Sequence, residues 1–114
     1  QTCALPIYSY GAKVNGKLTV SENVADLGGV ACALEAAKRD KDFSVHEFFV
    51  NFATIWRMKA REEYMQMLAS VDVHAPAKWR TNVIVSNFDE FHKEFDVKEG
   101  DGMWRAPEDR VIIW

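Results

Sequence analysis

The residues that most constrain this chain run from Ser44 to Trp56. Val45, Phe48, Phe49, Phe52, Ile55 and Trp56 recur at spacings of three and four, the pattern of a helix with one face that has to be buried. Ser44 followed three residues later by Glu47 has the form of a capping box, the Ser hydroxyl accepting from the first turn and the Glu reaching back. Arg57, Lys59, Arg61, Glu62 and Glu63 lie on the opposite side or at the end, and the helix is expected to run to about Ala69. A stripe this aromatic needs other apolar faces to cover it, so helix packing must organise the fold.

Two further segments offer such faces. Phe88, Phe91 and Phe95 give a short helix one aromatic side, with Asn87 as its expected N-cap, Glu90 at N3 and His92 on the polar side. Upstream, Ser21 is the expected N-cap of a helix from Glu22 to about Arg39, where Lys38 and Arg39 suit the negative end of the dipole. Its apolar stripe is Val24, Leu27, Val30, Ala31 and Leu34. Gly28 and Gly29 interrupt it. Each Gly inside a helix costs about 0.5–1 kcal/mol relative to Ala, so either the helix breaks there or another backbone approaches closely. Before this helix, Gly11, Asn15-Gly16 and the alternation of Lys17-Leu18-Thr19-Val20 read as a loop or weak hairpin. Asp40-Lys41-Asp42 makes a polar break, Pro76 restricts a loop from Asp72 to Arg80, and Gly100 and Gly102 mark another loop. Cys32, among alanines, is read as a small buried residue.

Composition narrows the function classes. Of 114 residues, 48% are hydrophobic and 27% charged, which is ordinary for a globular chain and unlike a disordered one. With 14 basic and 17 acidic residues and no basic block, nucleic acid is not an expected partner. No apolar run approaches the roughly 20 residues that span a bilayer, so no membrane contact is expected from this segment. Two cysteines, Cys3 and Cys32, have no metal-site spacing. Gln1-Thr2-Cys3-Ala4-Leu5-Pro6-Ile7 looks like a translated DNA-sequencing adapter, so residues 1–8 are set aside and residues 9–114 are read as a fragment of a longer protein.

Glu22 and Asp26, four residues apart, share one helix face. Carboxylates at that spacing usually form a solvated edge. Beside an apolar stripe they equally fit a partly buried boundary, where each needs a cation, a donor or a metal to stay charged. Spacing alone leaves both readings open. His46-Glu47 begins like the zinc motif HExxH, but the fifth residue is Val50, and HExxH occurs nowhere in the chain. His74, with Arg80 six residues later, reads by itself as part of a surface loop.

Glu22-Asn23-Val24-Ala25-Asp26-Leu27-Gly28-Gly29, preceded by Asn15-Gly16-Lys17-Leu18-Thr19-Val20, closely resembles a signature of the neprilysin and endothelin-converting-enzyme family of zinc metallopeptidases, which includes bacterial peptidase O. Asp72-Val73-His74-Ala75-Pro76 with Arg80 resembles the Asp-x-His-x-Pro-x-x-x-Arg stretch of that family, and Arg80-Thr81-Asn82-Val83 the Arg-Val-Asn that follows. Met103, Pro107 and the closing Val111-Ile112-Ile113-Trp114 resemble its carboxyl terminus. The resemblance covers about residues 13 to 114 and keeps the family's order of motifs.

The resemblance implies Glu22 as the third zinc ligand and Asp26 as a supporting carboxylate that orients the zinc-bound His side. It implies His74 as a stabiliser of the oxyanion and Arg80 as the ligand of a substrate backbone carbonyl. The chemistry suits the residue types: a donating imidazole meets developing negative charge, and a planar guanidinium presents forked donors to oxygen. The implied fold class is mainly α, the C-terminal helical part of a thermolysin-like (gluzincin) catalytic domain, incomplete. The implied parent is a zinc endopeptidase that hydrolyses oligopeptides through a metal-activated water. Two His ligands and the general base, all from an HExxH, would lie in the missing N-terminal part of the same polypeptide. This chain alone is therefore expected to be inert, and to fold poorly if its aromatic faces pack partly on absent helices. The tail disulfide of many animal members falls at Val97 and Val111, as in bacterial relatives without it. An extracytoplasmic location is a family-level expectation. A reading of a different class is a stand-alone helical interaction module without chemistry. A third, an unrelated metal site of His46, His74 and His92, is disfavoured by their scattered spacing.

Overall fold

The computed structural model of the chain describes residues 8–113. The adapter-like reading of residues 1–7, Cys3 and the closing Trp114 lie outside the described residues. The chain opens with a hairpin of β1 (Tyr8–Ser9) and β2 (Ala12–Lys13), antiparallel with Tyr8 opposite Lys13. Tyr10 and Gly11 both take positive φ, at 53° and 78°, as a tight primed hairpin turn demands. The turn is therefore at Gly11, and the hairpin packs on a later helix, α3 (Glu62–Val71).

Asn15 does not turn the chain back; it starts a helix. Its Oδ1 accepts from the backbone N–H groups of Lys17 and Leu18, both at 3.2 Å, so α1 spans Gly16–Ala37. The expected start at Ser21 is corrected: Ser21 is an exposed residue inside the helix, because Asn is as strong an N-cap as Ser and comes first. For the same reason Lys17 to Val20 are helical rather than extended. The helix runs unbroken through Gly28, which is buried, and Gly29, which has open space around it. Leu27, Val30 and Leu34 are buried as expected, whereas Val24 is exposed, and Cys32 is exposed too, contrary to the buried position its alanine neighbours suggest.

The capping Ser forms as expected: Ser44 Oγ accepts from Glu47 N at 3.2 Å and opens α2 (Val45–Ile55). The expected continuation to Ala69 is not observed. The chain leaves the helix at Trp56 and resumes as α3, whose first turn carries Glu62 and Glu63 against the positive end of its dipole. The segment after α3 is also shorter as a loop than expected, because Pro76 caps α4 (Ala77–Val85), where a missing N–H costs nothing. Next is α5 (Asp89–Glu94), capped by Phe88. Asn87 is thus not the N-cap; its side chain donates to the carbonyls of Val83 and Ile84 and accepts from Arg105 Nη1 and Val111 N. A short 3-10 turn, Pro107–Asp109, lies in the tail.

The two aromatic faces meet each other. Leu34, Phe49, Val85 and Phe91 form one buried cluster, flanked by Phe48, Phe52, Phe88 and Phe95. Leu27, Val30 and Ile84 form a second, joined to the first through Phe48, Phe52 and Phe88. Phe49 stands edge-on to Phe91, ring centres 5.6 Å apart at 76°, a favoured aromatic geometry. His92 is corrected from the polar side to the interior: it is buried, and its Nε2 lies 2.9 Å from the Ser86 carbonyl. No helix among the described residues is long and apolar enough to cross a membrane.

Phe49 is 3% exposed at the centre of both aromatic faces. Phe49→Ala should lower stability by about 3–5 kcal/mol, measured by denaturant unfolding of the protein that carries this segment. A loss comparable to that of an exposed position would place the core elsewhere.

Candidate active site

Glu22 and Asp26 sit one helical turn apart on α1, both partly buried. Facing them are the start of α4 and the segment before it. Arg80 donates from Nε to Asp26 Oδ2 and from Nη2 to Asp26 Oδ1, each at 2.6 Å. This parallel fork is the strong form of an ion pair, formed between residues 54 positions apart. Both side chains are well covered, 17% exposed for Arg80 and 14% for Asp26. Asp26's hydrogen bonds lift the Arg80 pKa further above its already high ordinary value, against the effect of burial. The Arg80 guanidinium also lies over the Trp56 ring, 4.0 Å from its centre.

His74 is held just as definitely. Asp72 Oδ1 accepts from His74 N at 2.9 Å and lies 2.9 Å from His74 Nδ1. One carboxylate oxygen thus fixes both the backbone and the ring, as an Asx-type turn does. The opposite nitrogen, Nε2, lies 3.2 Å from Glu22 Oε2. The His74 backbone and ring hydrogen bonds hold the Asp72 carboxyl below its ordinary range, and the Arg80 charge adds to this.

The four residues singled out in the sequence therefore come together: Glu22 with His74, and Asp26 with Arg80. An open cleft of about 300 Å³ lies between the end of α2, α3 and the start of α4, its wall including Trp56, Met58, Leu68, Asp72, His74 and Arg80. Glu22 and Asp26 adjoin that wall through His74 and Arg80. Asp72 and Trp56 are site residues that sequence reasoning assigned no role. The spacing of Asp72 two residues before His74 signals an Asx turn; nothing in the sequence marks Trp56 apart from the rest of its aromatic stripe. The three histidines do not converge: His46 stacks on Phe95 and faces Glu94, while His92 is in the core.

A metal ion needs several ligating side chains at once. Among the described residues no group of three or more His, Cys, Asp or Glu side chains could hold one. Glu22 nevertheless offers a carboxylate 39% exposed, beside an imidazole. The donors present here fit a metal only as part of a larger set.

Comparison with known proteins gives concordant results. The family model described as Peptidase family M13 matches residues 4–111. A neutral endopeptidase of Lactococcus lactis subsp. lactis (strain IL1403) is 59% identical over 100 residues, covering 88% of this chain and 16% of that protein. Neprilysin-3 of Drosophila melanogaster is 31% identical over 118 residues, 91% of this chain and 15% of that protein. The crystal structure of PepO from Lactobacillus rhamnosis HN001 (DR20) superposes with a TM-score of 0.86 at 42% identity, over 96% of this chain and 18% of that one. The chain spans about a sixth of the length of the curated relatives it matches.

Because its pKa is depressed in the folded state, Asp72 contributes stability that is full above its ordinary value of 3.8 and is lost as pH falls through its lower folded value. Following its side-chain carbon by NMR should show titration below 3.8, and Asp72→Asn should remove that part of the acid dependence of unfolding. Titration at or above the ordinary value would mean that the His74 clasp does not form.

Proposed function

Because the chain belongs to peptidase family M13, whose peptidases are zinc metalloproteases, we propose that it forms part of the catalytic domain of a zinc endopeptidase acting on peptides. The chain would be the C-terminal helical part of that domain, following an N-terminal part that supplies the remaining metal ligands and the general base. The observation that carries the reading is the meeting of two motifs more than fifty residues apart: Glu22 against His74, and Asp26 against Arg80.

Each side chain has a separate task. Glu22 is the residue of this chain that would hold zinc, its half-exposed carboxylate being the group able to reach an ion. Bound there, zinc supplies Lewis acidity, polarising a carbonyl and making water acidic near neutral pH. Asp26 keeps Arg80 in one orientation, and each of its oxygens retains a further lone pair for a metal-bound His side. Asp72 accepts from Nδ1–H of His74, so Nε2 donates to the oxygen of the reacting carbonyl, as negative charge develops, in the imidazolium form, where both ring nitrogens carry a proton. Arg80 uses two of its five N–H groups on Asp26 and keeps three for a substrate carbonyl. An extracytoplasmic setting belongs to the same proposal. On its own this chain has one metal ligand and is inert, whereas the expectation of poor folding loses its premise, since the two aromatic faces cover each other.

The test uses the full-length protein that carries this segment. Glu22→Gln should abolish cleavage of an oligopeptide and bring bound zinc, measured by elemental analysis, well below one per chain. Asp26→Asn should lower metal affinity or activity by about 10–100-fold. Wild-type cleavage by the Glu22→Gln protein would overturn the reading.

A further inference from the structure

We infer that Trp56 is a positioning residue for Arg80, and that its indole face sets which guanidinium hydrogens are presented in the cleft. The inference rests on the reading of Arg80 as a ligand of a substrate carbonyl. A guanidinium is a flat fork that can rotate about its last bonds, so a bond along one edge leaves its plane free to tilt. Asp26 fixes the Nε–Nη2 edge by two bonds of 2.6 Å. The Trp56 ring, 4.0 Å from Cζ, fixes the plane. Together they leave Nη1 and the second Nη2 hydrogen as the donors still available, on a residue that lines the cleft with Trp56 itself.

The indole is placed for this by the core. It sits at the C-cap of α2, where the helix stops, and its backbone N–H donates to the Ala53 carbonyl. Phe52, packed against both buried clusters, meets the Trp56 ring edge-on at 6.3 Å and 73°. The chain of contact runs from the core through Phe52 and Trp56 to Arg80 and Asp26. Arginine over the face of a tryptophan is the most favourable cation–π pairing, and partial burial strengthens it.

The test compares Trp56→Leu and Trp56→Phe in the full-length protein, with Glu22→Gln beside them. Loss of the ring face should raise KM about 3- to 30-fold, with kcat, zinc content and Tm nearly unchanged, because binding common to ground and transition states is what is lost. Phe, which keeps a ring face, should restore most of the KM. In an Arg80→Ala background, Trp56→Leu should add nothing. A fall in kcat and Tm at constant KM would show a merely structural role and overturn the inference. So would an additive loss in the Arg80→Ala background, or kinetics indifferent to Trp56→Leu. Cleavage that survives Glu22→Gln removes the peptidase reading and this inference with it. Cleavage abolished by Glu22→Gln but insensitive to Trp56→Leu removes this inference alone.

Discussion

Asp26 and Arg80 join the first long helix to the fourth, and the arrangement of the cleft depends on that ion pair. With both side chains more than four-fifths covered, the pair is a poor source of net stability, since removing two charges from water offsets most of their attraction. It is instead an effective constraint. Removing either partner leaves the other charge buried and unpaired, at a cost of about 3–5 kcal/mol. The apolar contacts beneath it, Leu27 and Val30 against Ile84, have no directional preference and would tolerate some sliding of α1 along α4. The forked bond does not. Helix packing brings the two motifs near, and the fork fixes their register.

Much of this was legible before the structure. The period of three and four in Val45–Trp56 and Phe88–Phe95 marks two aromatic faces, and these do form the core. The spacing of Glu22 and Asp26 places them on one helix face, where the structure finds them. What spacing could not give was their partners, because a contact across 54 residues leaves no local trace. The misread helix starts have a common cause. Ser, Asn and Asp all cap helices and all make turns, so local sequence does not separate Asn15, which caps α1, from Asn87, whose side chain ties the end of α4 to the tail. His92 lies inside rather than on the polar side of its short helix because the Ser86 carbonyl partners its Nε2, while its Nδ1 is buried without a partner.

The break after Ile55 was illegible for a different reason and matters more. Neither Pro nor Gly marks it, and apolar residues continue on both sides. Local hydrogen bonding favours the exit: the Thr54 hydroxyl bonds back to the Val50 carbonyl, which competes with the helix ladder. The acidic pair Glu62-Glu63 then favours a new N-terminus. Had the helix run on, Trp56 would have been one more residue of a core stripe. Because it stops, Trp56 becomes the corner where the core touches Arg80.

The site divides into a part that this chain orders by itself and a part that it does not. Arg80 has Asp26 on one edge and Trp56 beneath. His74 has Asp72 on both its backbone and its ring. Contacts within the segment pre-organise both groups, so that in the proposal His74 meets charge as it develops without reorganising and Arg80 binds a substrate carbonyl at little ordering cost. Glu22 is different. Among the described residues its ion-pair partner is His74 alone, and no set of ligands closes around it. A stand-alone interaction module has no use for a rigid guanidinium beside an under-determined carboxylate. The proposed catalytic segment would use both, its substrate donors rigid in advance and its Glu22 carboxylate taking its geometry from a coordination shell completed by other residues.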